Sequence, residues 1–193
     1  MPAPTDSEIQ RFNDVPSWEK WLAKNHQKSA DAWLLITKKG AAVPGLAIED
    51  ALDVALCYGW IDSHRRGHDK THFLQRYSPR RAKSPWSKIN RTRAEALIKE
   101  GRMQDGGHNE ITAAQADGRW DIAYESQREA EIPADVASAL AADKQAAKTF
   151  EGLSKSSQYA LVLPILKATT PVVRARRLAK MIATLETSAA KSS

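Results

Sequence analysis

The sequence contains one cysteine, Cys57, among its 193 residues, and it has no long apolar run. A single cysteine cannot form an intramolecular disulfide, which excludes a disulfide-stapled scaffold and is typical of proteins from reducing compartments. No segment approaches the ~20 apolar residues of a membrane-spanning helix, and the first eight residues lack the features of a secretory signal. We therefore expect a soluble, cytoplasmic protein, in which Cys57 is a buried and unreactive thiol.

Several sequence motifs for cofactors and hydrolysis are also missing. The chain has no cysteine pair, no Walker-type phosphate loop and no dinucleotide-binding glycine motif. Ser63 is not surrounded by the Gly-x-Ser-x-Gly elbow of a serine hydrolase. His64, His68 and His72 recur every four residues, which on a helix would stack three imidazoles, but Gly67 argues against a helix there. The sequence thus predicts neither a metal nor a cofactor.

Positive charge is concentrated in one window of the chain. The formal net charge is +6, yet the window from His64 to Arg93 holds ten Lys or Arg residues and only one acid, Asp69. Such a window forms either a folded anion-binding face or a basic rim answered by acids elsewhere in the fold. The sequence leaves both open. The basic residues are Arg65, Arg66, Lys70, Arg76, Arg80, Arg81, Lys83, Lys88, Arg91 and Arg93.

Hydrophobic periodicity predicts an α+β fold. We expect a small antiparallel sheet with several helices in residues 1–128, followed by a helical carboxyl-terminal lobe in residues 133–188. Runs rich in β-branched and aromatic residues predict strands at 33–37, 60–66 and 71–77. The predicted helices of the first part include 49–58, 85–101, which Ser84 would cap and Pro85 would open, and 120–125.

The loop from Pro79 to Asn90 is the strongest candidate for a binding site. It brings guanidinium, ammonium and hydroxyl groups to the expected start of a helix, where unpaired N–H groups and the helix dipole favour an anion. Alternatively, Ser84 only caps the helix, Trp86 packs in the core and the arginines reach solvent or pair with acids. The candidate ligand-binding residues are Trp60, Asp62, Arg65, Arg80, Arg81, Ser84, Trp86, Ser87, Asn90 and Trp120.

Asp62 is the one candidate for a catalytic role. One residue separates Asp62 from the aromatic Trp60, and Asp62 lies at the entrance to a basic hairpin. A carboxylate there can orient Arg65 or Arg80 or act as a general base. Structural ion pairs outnumber catalytic carboxylates, so a buried pair that fixes the hairpin is the favoured interpretation.

The predicted last helix, 172–185, carries four basic residues on one side. Such a helix can lie on nucleic acid or on an anionic membrane. A solvated basic face on an amphipathic helix explains the same pattern, and the sequence favours this explanation. The four residues are Arg174, Arg176, Arg177 and Lys180.

Four stretches together resemble the bacterial YdeI/OmpD-associated, or bacteriocin-protection, proteins with their OmdA domain. They are Ala55–Ser63, Ser78–Asn90, Gly101–Met103 with Gly118–Asp121, and Arg174–Arg177. The resemblance implies a widespread bacterial protein with a link to envelope or antimicrobial-peptide resistance and no settled catalytic activity. Three functions follow as hypotheses: a binding protein for a phosphorylated ligand or nucleic acid, an enzyme on an anionic substrate, and a protein-interaction module.

Overall fold

Four strands and eight α-helices make up the secondary structure of residues 4–125 and 130–190, the parts of the chain that the computed structural model describes. This confirms the predicted α+β class. Within these parts, no helix combines the length and the apolarity needed to cross a membrane. The chain divides into two compact units, unit 1 with residues 1–84 and 90–118, and unit 2 with residues 85–89 and 119–193.

The twelve strands and α-helices of the described residues fall into two parts along the chain. The first part contains β1 (Ile9–Gln10), α1 (Val15–Asn25), β2 (Ala32–Thr37), α2 (Ile48–Cys57), β3 (Trp60–Gly67), β4 (His72–Pro79), α3 (Lys88–Lys99) and α4 (Asp105–Ala116). The second part contains α5 (Ala134–Ala142), α6 (Lys144–Glu151), α7 (Lys155–Leu166) and α8 (Pro171–Ala190).

The sheet of unit 1 has the strand order β1-β2-β4-β3. Strand β4 runs antiparallel to both β2 and β3, which places Tyr77 opposite Ala32 on one side and opposite Asp62 on the other. Strand β1 has only two residues and pairs in parallel with β2, so the sheet is mixed. A two-residue strand has too short a pattern to be recognised in the sequence.

Aromatic side chains dominate the core on one face of this sheet. Trp18, Trp60 and Tyr77 are each at most 1% exposed. Each indole N–H has a carbonyl partner, because Trp18 Nε1 donates to the Ala51 carbonyl and Trp60 Nε1 donates to the His26 carbonyl, both at 3.1 Å. Satisfied N–H groups let the large rings be buried without the cost of an unpaired donor.

Two glycines let helix α4 contact the end of helix α2. A methyl group at Gly107 would lie 2.6 Å from the Cys57 carbonyl oxygen and 2.7 Å from that of Leu56. At Gly106 it would lie 2.6 Å from the Tyr58 carbonyl oxygen. These positions meet backbone rather than flexible side chains, so the two helices depend on the absence of a Cβ atom there.

The helix predicted at 85–101 forms, but its predicted start at Pro85 is wrong, and the prediction of a helix at 120–125 is wrong. Helix α3 begins at Lys88, and residues 119–122 form turns. The reason lies in backbone pairing within unit 2, where Ser87 and Tyr124 form a parallel bridge. The Tyr124 N–H donates to the Trp86 carbonyl at 3.0 Å, and the Lys88 N–H donates to the Tyr124 carbonyl at 2.9 Å. These bonds hold both segments extended at this point, and Ser84 therefore caps no helix.

In unit 2, two arginines of α8 bind the carboxyl-terminal end of α7. Arg174 forms a two-point ion pair with Asp135 of α5, at 2.7 and 2.8 Å, and donates to the Ile165 carbonyl at 3.1 Å. Arg177 donates to the Pro164 carbonyl at 2.5 Å. The last carbonyls of a helix have no partner within it and carry partial negative charge, so these cations stabilise the end of α7.

We expect Gly107→Ala to lower the free energy of unfolding by about 1–3 kcal/mol, because the added methyl group overlaps backbone oxygens of α2. Gly67→Ala is the matched control, since a Cβ atom there meets nothing within 4 Å. Thermal unfolding followed by circular dichroism measures both variants. Equal melting temperatures for Gly107→Ala and the wild type would contradict the close approach of α2 and α4.

We expect Cys57 to resist a thiol reagent at pH 8 in the folded protein and to react fully in denaturant. The side chain is 2% exposed, and burial raises the pKa of the thiol to about 11, so almost no reactive thiolate is present. Titration with Ellman's reagent checks this. Rapid reaction of one equivalent under native conditions would show that the end of α2 opens readily.

We expect Arg174→Lys to lower stability by about 1–2 kcal/mol, since an ammonium cannot make the two-point contact with Asp135. Arg176→Lys, at an exposed position of α8, is the control and should have no measurable effect.

The Arg174 guanidinium holds the pKa of Asp135 below its usual value. The pair therefore contributes at neutral pH, and its contribution is lost as the pH falls below about 4. Thermal unfolding of both variants at pH 7 and pH 3 measures this, and an equal loss at both values would contradict it.

Candidate functional site

A β-bulge in β3 decides which side chains share a face of the sheet. Asp62 lies opposite Tyr77, but the register then shifts, and Arg65 lies opposite Gln75. Side chains alternate along a strand, so residues three apart would ordinarily point to opposite faces. The extra residue cancels this alternation. As a result, Asp62 and Arg65 both lie on the face that carries Tyr77 and Gln75.

Asp62 is a half-buried carboxylate in a partly apolar setting. Burial raises its pKa above the ordinary value, while the positive charges of Arg65 and Arg80 act in the opposite direction. Arg80 is itself only 6% exposed. Its backbone N–H donates to the carbonyl of Gly59, the residue directly before β3, at 3.0 Å. Three of the predicted site residues are therefore close together in unit 1.

The Arg65 guanidinium lies over an aromatic ring. Its guanidinium carbon is 4.5 Å from the centre of the Phe73 ring, and its Nε donates to Gln75 Oε1 at 3.0 Å. The Gln75 amide in turn donates to the His64 carbonyl at 3.2 Å. The cation–π contact and the hydrogen bond hold the Arg65 side chain in one orientation, although the residue itself is exposed.

Four of the ten basic residues in the window from His64 to Arg93 form ion pairs with acids that lie outside the window. Arg76 binds Asp31 at 2.6 Å, and Arg93 binds Asp53 at 2.5 Å. The two remaining pairs are Arg91 with Glu95, at 3.0 Å, and Lys88 with Glu125.

Three other basic residues of the window have no such partner. Among the residues that the structure describes, Lys70, Arg81 and Lys83 pair with no carboxylate, and all three are exposed. Arg81 and Lys83 belong to a tight turn in which the Ser84 N–H donates to the Arg81 carbonyl at 2.9 Å. Lys83 has a φ angle of +62°, in the left-handed region that few residues other than glycine adopt.

The predicted site residues are divided between the two units. Trp60, Asp62, Arg65, Arg80, Arg81, Ser84 and Asn90 belong to unit 1, whereas Trp86, Ser87 and Trp120 belong to unit 2. The three tryptophans are at most 6% exposed. Trp60 lies in the core of unit 1, and Trp86 packs edge-on against Trp120 with 4.9 Å between ring centres. The three rings are therefore buried within their units, which leaves little of their surface for a ligand.

The three histidines at four-residue spacing lie on a hairpin and not on a helix. His64 belongs to β3 and His72 to β4, and His68 lies in the turn between them. Asp69 organises this turn, because its carboxylate accepts the N–H groups of Thr71 and His72, each at 2.7 Å. In the described ranges, the structure contains no cluster of three or more residues of metal-ligating type.

No sequence motif predicts the cavities of unit 2. The larger one has a volume of about 720 Å³, with Phe150, Tyr159 and Val162 among its lining residues. A much smaller recess lies between the turn at Arg119 and the end of α7, at Lys167. The residues around both cavities are far apart in the chain, so no local motif marks them.

Two family models match parts of the chain. Residues 10–110 match the model of a domain of unknown function (DUF8412), and residues 129–187 match the model described as Bacteriocin-protection, YdeI or OmpD-Associated. The second match confirms the family that the sequence resembles. Of the four stretches that carry the resemblance, only Arg174–Arg177 lies within 129–187. No curated protein and no solved structure matches the chain.

Proposed function

We propose that this chain is an anion-binding protein. The chain belongs to the DUF8412 family through residues 10–110 and to the bacteriocin-protection, YdeI or OmpD-associated family through residues 129–187. Its ligand carries phosphate groups, and its binding surface is in unit 1. We define this surface, the hairpin surface, by Arg65 in β3 and by Arg81 and Lys83 in the turn that follows β4.

The proposal rests on which basic side chains between His64 and Arg93 have a carboxylate partner within the protein. Arg76 and Arg93 form ion pairs with Asp31 and Asp53, so their charges are already neutralised within the protein. Arg81 and Lys83 are exposed and have no carboxylate partner among the described residues. Cations that neutralise no internal charge are the ones that a phosphate binds with release of its counterions.

Arg65 adds a group that is already oriented. Its guanidinium is held by the Phe73 ring and by Gln75, so little conformational entropy is lost when a ligand binds. A planar guanidinium makes two parallel hydrogen bonds to a phosphate and also stacks on a nucleobase. These properties favour nucleic acid, a ligand with several phosphates, over a ligand with a single one.

A second function, catalysis on an anionic substrate, is supported by the surroundings of Asp62. Burial raises the pKa of this carboxyl, and the bulge in β3 places it on the face shared with Arg65. A general base needs a pKa nearer to the working pH than that of an ordinary aspartate, and the arginines would stabilise negative charge. Loss of turnover with retained binding in Asp62→Asn would identify this function once a substrate is found.

We expect Arg81→Gln/Lys83→Gln to weaken binding of a single-stranded oligonucleotide by about tenfold at low salt, because two phosphate contacts are lost. The magnitude of the slope of log K against log salt should fall by about 1.4, at about 0.7 for each contact. Fluorescence anisotropy of a labelled oligonucleotide over a salt series measures both quantities. Glutamine removes the charge of each side chain and leaves a shorter, uncharged polar group.

The matched control is Lys20→Gln/Lys24→Gln, which removes the same charge from exposed positions of α1. If both double variants lose affinity equally, the effect is that of net charge and the hairpin surface is not the site. If the wild type fails to bind single- or double-stranded oligonucleotides even at low salt, nucleic acid is excluded as the ligand.

A further inference from the structure

The larger cavity of unit 2 has the size and the walls of a small-molecule site. Its volume of about 720 Å³ falls within the range of roughly 300–1,000 Å³ that ligand pockets occupy. Phe150 and Val162 form part of its wall and are buried members of the apolar core of this unit. A ligand that covers them removes apolar surface from water, which favours binding.

A second cavity, of about 340 Å³, adjoins the first, and most of its wall is apolar. The two cavities share Ile132, Phe150 and Gln158. A ligand whose polar end lies in the first cavity therefore has room to extend an apolar group into the second. The other wall residues of the second cavity belong to α5 and α6; they are Ala137, Leu140, Ala141, Ala147 and the exposed Glu151.

Two half-buried polar side chains of the first cavity are held in place by hydrogen bonds to carbonyl groups. The Gln158 amide nitrogen donates to the Phe150 carbonyl at 3.0 Å, and the Tyr159 hydroxyl donates to the Glu125 carbonyl at 2.9 Å. The only proton of the Tyr159 hydroxyl is thus in use, and Gln158 Oε1 carries none, so both oxygens remain as acceptors. The cavity therefore offers two positioned acceptors to a ligand that brings N–H donors.

The wall of the first cavity also carries one side chain of each charge. Glu131 and Lys155 are both exposed, and neither forms an ion pair with a residue that the structure describes. A ligand with a single charge is attracted by one of them and repelled by the other. A ligand with both charges is attracted by both, so the pair favours a zwitterion.

We propose that the two cavities form a binding site for a free α-amino acid with a large apolar side chain. The three N–H donors of its ammonium group match the three acceptors Glu131, Gln158 and Tyr159. Lys155 binds its carboxylate, and its side chain extends past Phe150 into the second cavity. The site belongs to unit 2 and does not depend on the proposed function of unit 1.

The test is an NMR titration of the full-length ¹⁵N-labelled protein with phenylalanine and with leucine, followed at the side-chain amide of Gln158. We expect its signals to shift and saturate with a single dissociation constant. Three analogues each lack one recognised feature: N-acetylphenylalanine lacks the ammonium group, phenylalaninamide lacks the carboxylate, and glycine lacks the apolar side chain. Each should bind at least about threefold more weakly than phenylalanine, because one set of contacts is lost.

Two outcomes of this titration would overturn the proposal. One is the absence of saturation by both amino acids up to about 10 mM, since a specific site of this size should bind more tightly. The other is equal affinity for phenylalanine and any one of the three analogues.

Lys155→Met locates the site. It removes one charge from an exposed position and should weaken phenylalanine binding about three- to fivefold. The variant should also lose the discrimination against phenylalaninamide, because the partner of the carboxylate is gone, and a merely structural role of Lys155 would not produce this. Lys144→Met is the matched control, since Lys144 is the exposed first residue of α6, as Lys155 is of α7. Equal phenylalanine affinities of the two variants would disprove the site, whatever the hairpin surface does.

Discussion

The pairing of β4 with two neighbours holds the basic hairpin of unit 1 in place. β4 lies between β2 and β3 and is antiparallel to both. On one face, Tyr77 packs against Trp18 with 5.9 Å between ring centres, and on the other Arg76 binds Asp31. A one-residue slip would move Tyr77 out of the core and Arg76 into it. The register is therefore fixed, and with it the bulge that places Asp62 and Arg65 on one face.

A segment with ten basic residues and one acid folds because its partners come from elsewhere. Arg76 has a side chain that is only 12% exposed, and a cation so deeply buried needs a carboxylate, which Asp31 provides. Arg81 and Lys83 remain hydrated on a turn, where an unpaired charge costs little. The explanation by acids elsewhere in the fold thus accounts for Arg76 and Arg93, whereas an anion-binding face stays a prediction for the rest of the window. Burial decides which residue takes an internal partner.

The sequence predicted elements whose pattern is local, and it failed where backbone pairing between distant segments decides the structure. The strands β2, β3 and β4 were predicted because their apolar and β-branched residues alternate or cluster within a few positions. The helix predicted from Pro85 begins only at Lys88, because Trp86 and Lys88 bond to Tyr124. The same limit applies to the candidate site. Asp62 and Arg65 were named from their charge, but the bulge that brings them to one face has no signal in the local sequence.

The arginines of α8 show why a basic helix is weak grounds for a nucleic-acid surface. Arg174 and Arg177 bind carbonyls at the end of α7, where Pro164 lies inside the last turns of the helix. Their donors are thus engaged by the protein, and half of the basic side of α8 has a structural role. Lys167 caps the same end of α7 but turns its ammonium to the Tyr124 ring. Cations that bind a helix end are satisfied there. All three cations therefore have an interaction within unit 2, and charge alone does not mark a binding surface there.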